Sequence, residues 1–165
     1  MAVQKPRARE KVNLDEKDRA ILRLELKNPQ MPVADIAREV GMQRDTVLYR
    51  LKRLEARGLI MEYHVILDPH ALGLASFMML LVKTAPVPRK QVDAFVQTLV
   101  AHPNVTHISR LVGKYDYLVQ IAAEDIVAFD AILDEIKTKH HGVISDIDIS
   151  SVIDGPKIDD FSGLV

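Results

Sequence analysis

Cysteine is absent from the 165-residue chain. Its absence excludes disulfides, thiolate zinc sites, iron–sulfur clusters and a cysteine nucleophile, and it fits a reducing compartment. Long hydrophobic runs are absent as well. The longest, such as Phe77 to Val82, are far too short to span a bilayer. The opening stretch MAVQKPRAREKVNLDEKD has no apolar h-region, so no secretory signal is expected and the cytoplasm is the default location. No Gly-x-Gly-x-x-Gly, phosphate loop or Ser-His-Asp order occurs, so nothing points to a catalytic residue or a cofactor. None of the six histidines forms an H-x-x-x-H pair, and no metal site is expected. His140 and His141 are adjacent, would point apart on a helix and suit its negative end. Asp146 and Asp148 read as alternation on a strand face.

What remains is an ordinary globular balance, with 48% apolar and 27% charged residues over a length that suits one large domain or two small ones. The net charge of −1 conceals an asymmetry. Met1 to His64 carries 14 Lys/Arg against 10 Asp/Glu, a net +4, and Val65 to Val165 carries 8 against 13, a net −5. A basic N-terminal part joined to an acidic remainder suggests that one end meets a polyanion.

Along the chain, residues 1–12 form a basic arm with Lys5, Arg7, Arg9 and Lys11 at every second position. Residues 13–60 read as three short helices. Asn13 and Asp15 are N-cap types before Ile21, Leu22, Leu24 and Leu26, and Asn28-Pro29 ends the first helix. Pro32 opens the second, where Val33, Ile36, Ala37 and Val40 keep a helical spacing up to Gly41. The third runs from Arg44 to Arg57 with Val47, Leu48, Leu51 and Leu54 as its buried stripe, and Gly58 stops it. Such a tight, glycine-containing turn between two helices is what a helix-turn-helix requires.

Residues 61–73 read as an extended connector closed by Asp68-Pro69. Over 74–154 the order is βαββαβ, a ferredoxin-like arrangement with two helices on one face of an antiparallel sheet. Its helices turn Val92, Phe95, Val96 and Leu99, and then Ile126, Phe129, Leu133 and Ile136, inward. Its last strand alternates around Ile147 and Ile149. Residues 155–165 form a tail carrying Ile158 and Phe161. The fold class is therefore α+β, a winged-type helix-turn-helix followed by a ferredoxin-like domain. The first strand, Phe77-Met78-Met79-Leu80-Leu81-Val82, does not alternate polar with apolar residues. A strand apolar on both faces needs cover on both. The simplest cover is the same sheet of a second chain, and a covered central strand inside a monomer is the alternative.

The third helix carries five basic residues, Arg44, Arg50, Lys52, Arg53 and Arg57, against Asp45 and Glu55. Presented by a helix-turn-helix, its N-terminal part can enter a major groove, where Arg pairs with guanine and Thr or Tyr meets phosphate or a thymine methyl. Arg44, Thr46, Tyr49, Arg50 and Arg53 are the candidate DNA contacts, with Lys5 to Lys11 adding phosphate contacts.

The stretch LDEKDRAILRLELKNPQMPVADIAREVGMQRDTVLYRLKRLEARGLI, followed by Asp68-Pro69 and Leu72-Gly73, resembles the Lrp/AsnC (leucine-responsive, feast/famine) family of transcriptional regulators. The resemblance covers nearly the whole chain, because that family joins a helix-turn-helix to a ferredoxin-like domain. Leu14-Asp15, Ile36-Ala37 before Gly41, Thr46-Val47, and Arg53-Leu54-Glu55 before Gly58 and Ile60 carry it. Gln43 stands where the family usually has a capping Ser or Thr, and Pro32 replaces the usual capping Ser of the second helix. The resemblance implies a prokaryotic, DNA-binding homo-oligomer, at least a dimer and in many members a tetramer or octamer, that senses a small metabolite such as an amino acid.

It further implies that Gly113, Tyr115 and Asp116 belong to the effector loop. Asp116 would take the ammonium of a zwitterion, and backbone N–H groups of a glycine-opened turn its carboxylate. By spacing alone, Gly113-Lys114-Tyr115-Asp116 is a plain hairpin. Two other classes stay in view: a siroheme decarboxylase-like enzyme, whose tetrapyrrole carboxylates ask for a cationic pocket, and a metabolite-binding module without DNA recognition.

Overall fold

The computed structural model describes residues 11–65, 67–153 and 161–165, and they fall into two compact units. The basic arm below Lys11, together with Ile158 in the tail, lies outside the described residues.

The helical unit contains α1 (Glu16–Lys27), α2 (Val33–Glu39) and α3 (Arg44–Ala56). A capping box starts α1: the Asp15 side chain accepts from Asp18 N at 2.7 Å, and Asp18 accepts from Asp15 N at 3.3 Å. The α2–α3 turn follows from one glycine. Gly41 sits at φ +62°, Met42 N reaches back to Ala37 O at 2.9 Å, and Gly41 N to Arg38 O at 3.3 Å. This is a Schellman ending, which consumes the last free carbonyls of α2 and turns the chain within two residues. Lys17 Nζ covers another, Val40 O, at 2.7 Å. Gly58 ends α3 in the same way, with Leu59 N on Leu54 O at 3.0 Å. Ile21, Ile36, Ala37, Val40, Val47 and Leu51 form the core between the helices. Leu48 is half-buried, and Leu26, at the end of α1, stays exposed.

The second unit contains β1 (Ser76–Thr84), α4 (Arg89–Ala101), β2 (Val105–Arg110), β3 (Tyr117–Ala123), α5 (Ile126–Lys139) and β4 (Ile144–Ser151). The sheet order is β2-β3-β1-β4, antiparallel throughout. Met78, Leu80 and Val82 of β1 pack with Phe95 and Leu99 of α4 and with Phe129, Leu133 and Ile136 of α5. Ile126 departs from the sequence expectation: it continues the stripe but is 57% exposed, because as the first residue of α5 it precedes the segment that packs on the sheet. Ile149 is also largely exposed, as a residue of the edge strand β4. His140 leaves the role of charged helix terminus. Its ring meets Thr98 Oγ1 at 2.7 Å and the edge of Phe95, and burial lowers its pKa, which favours the neutral imidazole.

Candidate nucleic-acid interface and effector site

The outward face of α3 presents Arg44, Thr46, Tyr49 and Lys52, all exposed, while Val47, Leu51 and Leu54 face the core. Tyr49 is 66% exposed, a large ring left in water in the middle of the helix. Among the described residues Arg44 has only its neighbour Asp45 as an ion-pair partner, at 3.6 Å. Gln43 occupies the N-cap position without a side-chain cap hydrogen bond, so no side chain of that residue covers the first amides of α3.

Arg50 and Arg53 are placed differently from the three other candidates. Both turn toward the start of α1, where Asp18 is buried with its side chain 2% exposed. Arg50 Nη1 meets Asp15 Oδ2 at 2.6 Å and Asp18 Oδ1 at 2.7 Å, and Arg53 Nη2 meets both Asp18 oxygens at 2.7 and 2.6 Å. Arg53 Nε is buried without a hydrogen-bond partner among the described residues, a desolvation cost that the Nη2 bonds to Asp18 offset. The hydrogen bonds from Asp18 N and Arg50 hold the Asp15 carboxyl below the usual aspartate range. Arg50 and Arg53 on α3, with Asp15 at the N-cap of α1 and Asp18 in its first turn, thus fasten α3 to α1. The sequence reading missed Asp18. The available signal was a charged residue three and four positions before Ile21 and Leu22, on the buried stripe of α1.

In the second unit, the loop between β2 and β3 separates Gly113, Tyr115 and Asp116. Gly113 has φ +154°, with nothing among the described residues within 4 Å of where a Cβ would lie, so the backbone angle rather than crowding calls for glycine. Tyr115 is buried, and its hydroxyl donates to Asp148 on β4 while Lys114 Nζ donates to it at 2.9 Å. That bond raises the Lys114 pKa. Asp116 turns to β1 instead, accepting from Thr84 N and Thr84 Oγ1, both at 2.8 Å, and from Lys83 Nζ at 3.3 Å. The Thr84 bonds, with Lys83, hold its carboxyl below the usual range.

Asp116 lines an open cleft of about 240 Å³ between the end of β1, the start of α4 and the end of β2, together with Arg110, Arg89, Val87, Val92 and Leu111. Gly113 and Tyr115 do not line it. Arg110, which the sequence reading passed over, sits opposite Tyr117 in the β2–β3 ladder and so comes beside Asp116. Only the strand pairing makes them neighbours.

Two family patterns match the chain. "Winged helix-turn-helix DNA-binding" spans residues 14–61, and "Lrp/AsnC ligand binding domain" spans 78–160. The chain belongs to the Lrp/AsnC family. Among Lrp/AsnC relatives, the HTH-type transcriptional regulator Zrp of Zymomonas mobilis is 31% identical over 74% of this chain and 80% of its own. The transcriptional regulator AzlB of Bacillus subtilis is 27% identical over 88% and 92%. In structure, transcriptional regulator NMB0573 of Neisseria meningitidis, solved as its L-Met complex, superposes with a TM-score of 0.83 at 25% identity, covering 93% of this chain and all of that one. The chain is thus an Lrp/AsnC-type DNA-binding transcriptional regulator with a ligand-binding domain. Its relatives are regulators rather than enzymes, which sets aside the siroheme decarboxylase alternative. Among the described residues no helix is long and apolar enough to cross a membrane.

Proposed function

We propose that this regulator reads specific duplex DNA through Arg44, Thr46 and Tyr49, with Lys52 on phosphate, and that Arg50 and Arg53 hold the recognition helix rather than touch bases. The observation that carries this is the division of α3: an exposed polar face at its N-terminal half, and two guanidiniums committed to a buried carboxylate. Recognition helices offer their N-terminal residues to base edges, and uncapped first-turn amides suit a phosphate. Such a protein works where the chromosome is, in the cytoplasm of a prokaryote. Fluorescence anisotropy of labelled DNA from upstream of its own gene, against a scrambled control over a salt series, tests it. Tight, sequence-dependent binding that falls steeply with salt is expected. Equal weak binding to both fragments overturns sequence-specific reading of that site.

The effector we assign to the cleft is an amino acid. Arg110 offers a guanidinium to its carboxylate, Asp116 an acceptor to its ammonium, and Val87, Val92 and Leu111 an apolar wall to its side chain. The structural relative with bound L-Met supports that class. Gly113 and Tyr115 then shape the loop that carries Asp116. Calorimetry over the twenty amino acids should find a ligand, and Arg110→Ala should weaken it by about ten- to a hundredfold, the loss of one charge-assisted pair. Unchanged affinity in that variant would move the carboxylate elsewhere.

We also propose that the chain is at least a dimer, joined through the sheet face opposite α4 and α5. On that face Phe77, Met79 and Leu81 alternate with the buried Met78, Leu80 and Val82 and are only half-buried. Leu118 lies beside Leu81, and polar Asp148 and Ser150 flank the row on β4. A central apolar stripe with a polar rim is the anatomy of a self-association surface. Leu81→Asp should shift sedimentation from dimer to monomer at micromolar concentration, with the far-UV spectrum retained. A variant that still sediments as the parent does would discard this face.

A further inference from the structure

We infer that residues Phe161–Val165 act as a strap, seated reversibly on α1, that bears through that helix on the recognition helix. These five residues lie beyond both family-pattern matches, which end at 61 and 160, so the family patterns do not account for them. They group with the helical unit although the chain reaches them only after completing β4. Arg23 Nε, on α1, donates to Val165 O at 2.8 Å across 142 positions of sequence, and a 3-10 turn over Ser162–Leu164 brings the chain there.

The contact is built to open. Phe161 is 55% exposed and Leu164 78%, so apolar burial, confined to a half-buried Val165, contributes little, and the Arg23 bond itself is exposed. An exposed hydrogen bond with little packing behind it favours the seated form by about three- to tenfold, which leaves an appreciable open population. A binding event that pulls the tail needs to supply only that factor to release it.

What the strap holds gives the contact its consequence. Arg23 is on α1, whose start carries Asp15 and Asp18, the carboxylates that fix Arg50 and Arg53 of α3. One helix therefore receives the tail and orients the recognition helix through ion pairs. The two-state element is the strap, seated or free. Its effect on DNA rests on the DNA-binding function proposed above.

The test is a double-mutant cycle in the full-length protein. Hydrogen exchange of α1 amides is compared in the parent, in Arg23→Ala, in a chain ending at Asp160, and in the combination. Each single change should speed exchange in α1 by about three- to tenfold and leave β1 and β3 unchanged, with no further effect in the double variant. Operator affinity should move by a similar factor with the same non-additivity. Exchange in α1 that is unchanged in the shortened chain, or single effects that multiply in the double variant, would overturn the strap. Exchange needs no DNA, so absent operator binding in the parent would sink the regulator's proposed target and leave the strap to be judged on exchange alone.

Discussion

Asp18→Ala is expected to unfold the helical unit under conditions where the parent is folded, with a loss of about 3–5 kcal/mol. The figure is that for removing one partner of a buried ion pair. Two guanidiniums, both partly enclosed, would be left facing an apolar seam without their shared carboxylate. A three-helix unit with eight buried apolar residues among those described has little stability to lose. Urea unfolding followed by far-UV circular dichroism should show an early transition for the helices and an unshifted one for the sheet. Asp18→Asn should also destabilise, because it keeps the shape and removes the charge. The combination Asp18→Leu, Arg50→Met, Arg53→Leu should recover much of the loss, since well-packed apolar groups can replace a buried ion cluster. A shift below about 1 kcal/mol in Asp18→Ala would mean that both arginines simply swing into water, as surface pairs do.

The second large effect belongs to the outer face of α3. Tyr49→Ala and Arg44→Ala should each weaken operator binding by about 1–3 kcal/mol, roughly ten- to a hundredfold, and relax discrimination between operator and scrambled DNA, as loss of a base contact does. Lys52→Ala should instead weaken both fragments alike and lower the salt slope by about one, as loss of a phosphate contact does. Arg50→Ala and Arg53→Ala should act through folding: their unfolding midpoints fall, and affinity corrected for the folded fraction stays near that of the parent. Anisotropy titrations paired with unfolding curves separate the two mechanisms. An Arg50→Ala protein as stable as the parent that no longer tells operator from control would return Arg50 to the base edges.

Much of the architecture was legible in the chain because it depends on local periodicity and turn chemistry. Gly41 and Gly58 mark helix ends that only a left-handed residue closes so tightly, and both stand at positive φ. Apolar spacing located the helices, and the non-alternating Phe77 to Val82 announced a strand with two apolar faces. The family resemblance was carried by the helix-turn-helix residues themselves. The site was less legible. Five residues of α3 carry side chains suited to DNA, and composition treats Arg44 and Arg50 alike.

Only the packing of α1 against α3 separates them, because it brings the carboxylates of Asp15 and Asp18 within 2.7 Å of Arg50, from positions more than thirty residues earlier. The same holds in the other unit, where Asp116 pairs with Thr84 and shares a cleft with Arg110 through strand register. By itself the sequence determined the elements, their order and the family, since those follow from residues near one another along the chain. The tertiary structure decided which charges are committed internally and which remain available to a partner. Ion pairs depend on distance in space, and distance between helices or strands is set by packing that no local pattern encodes.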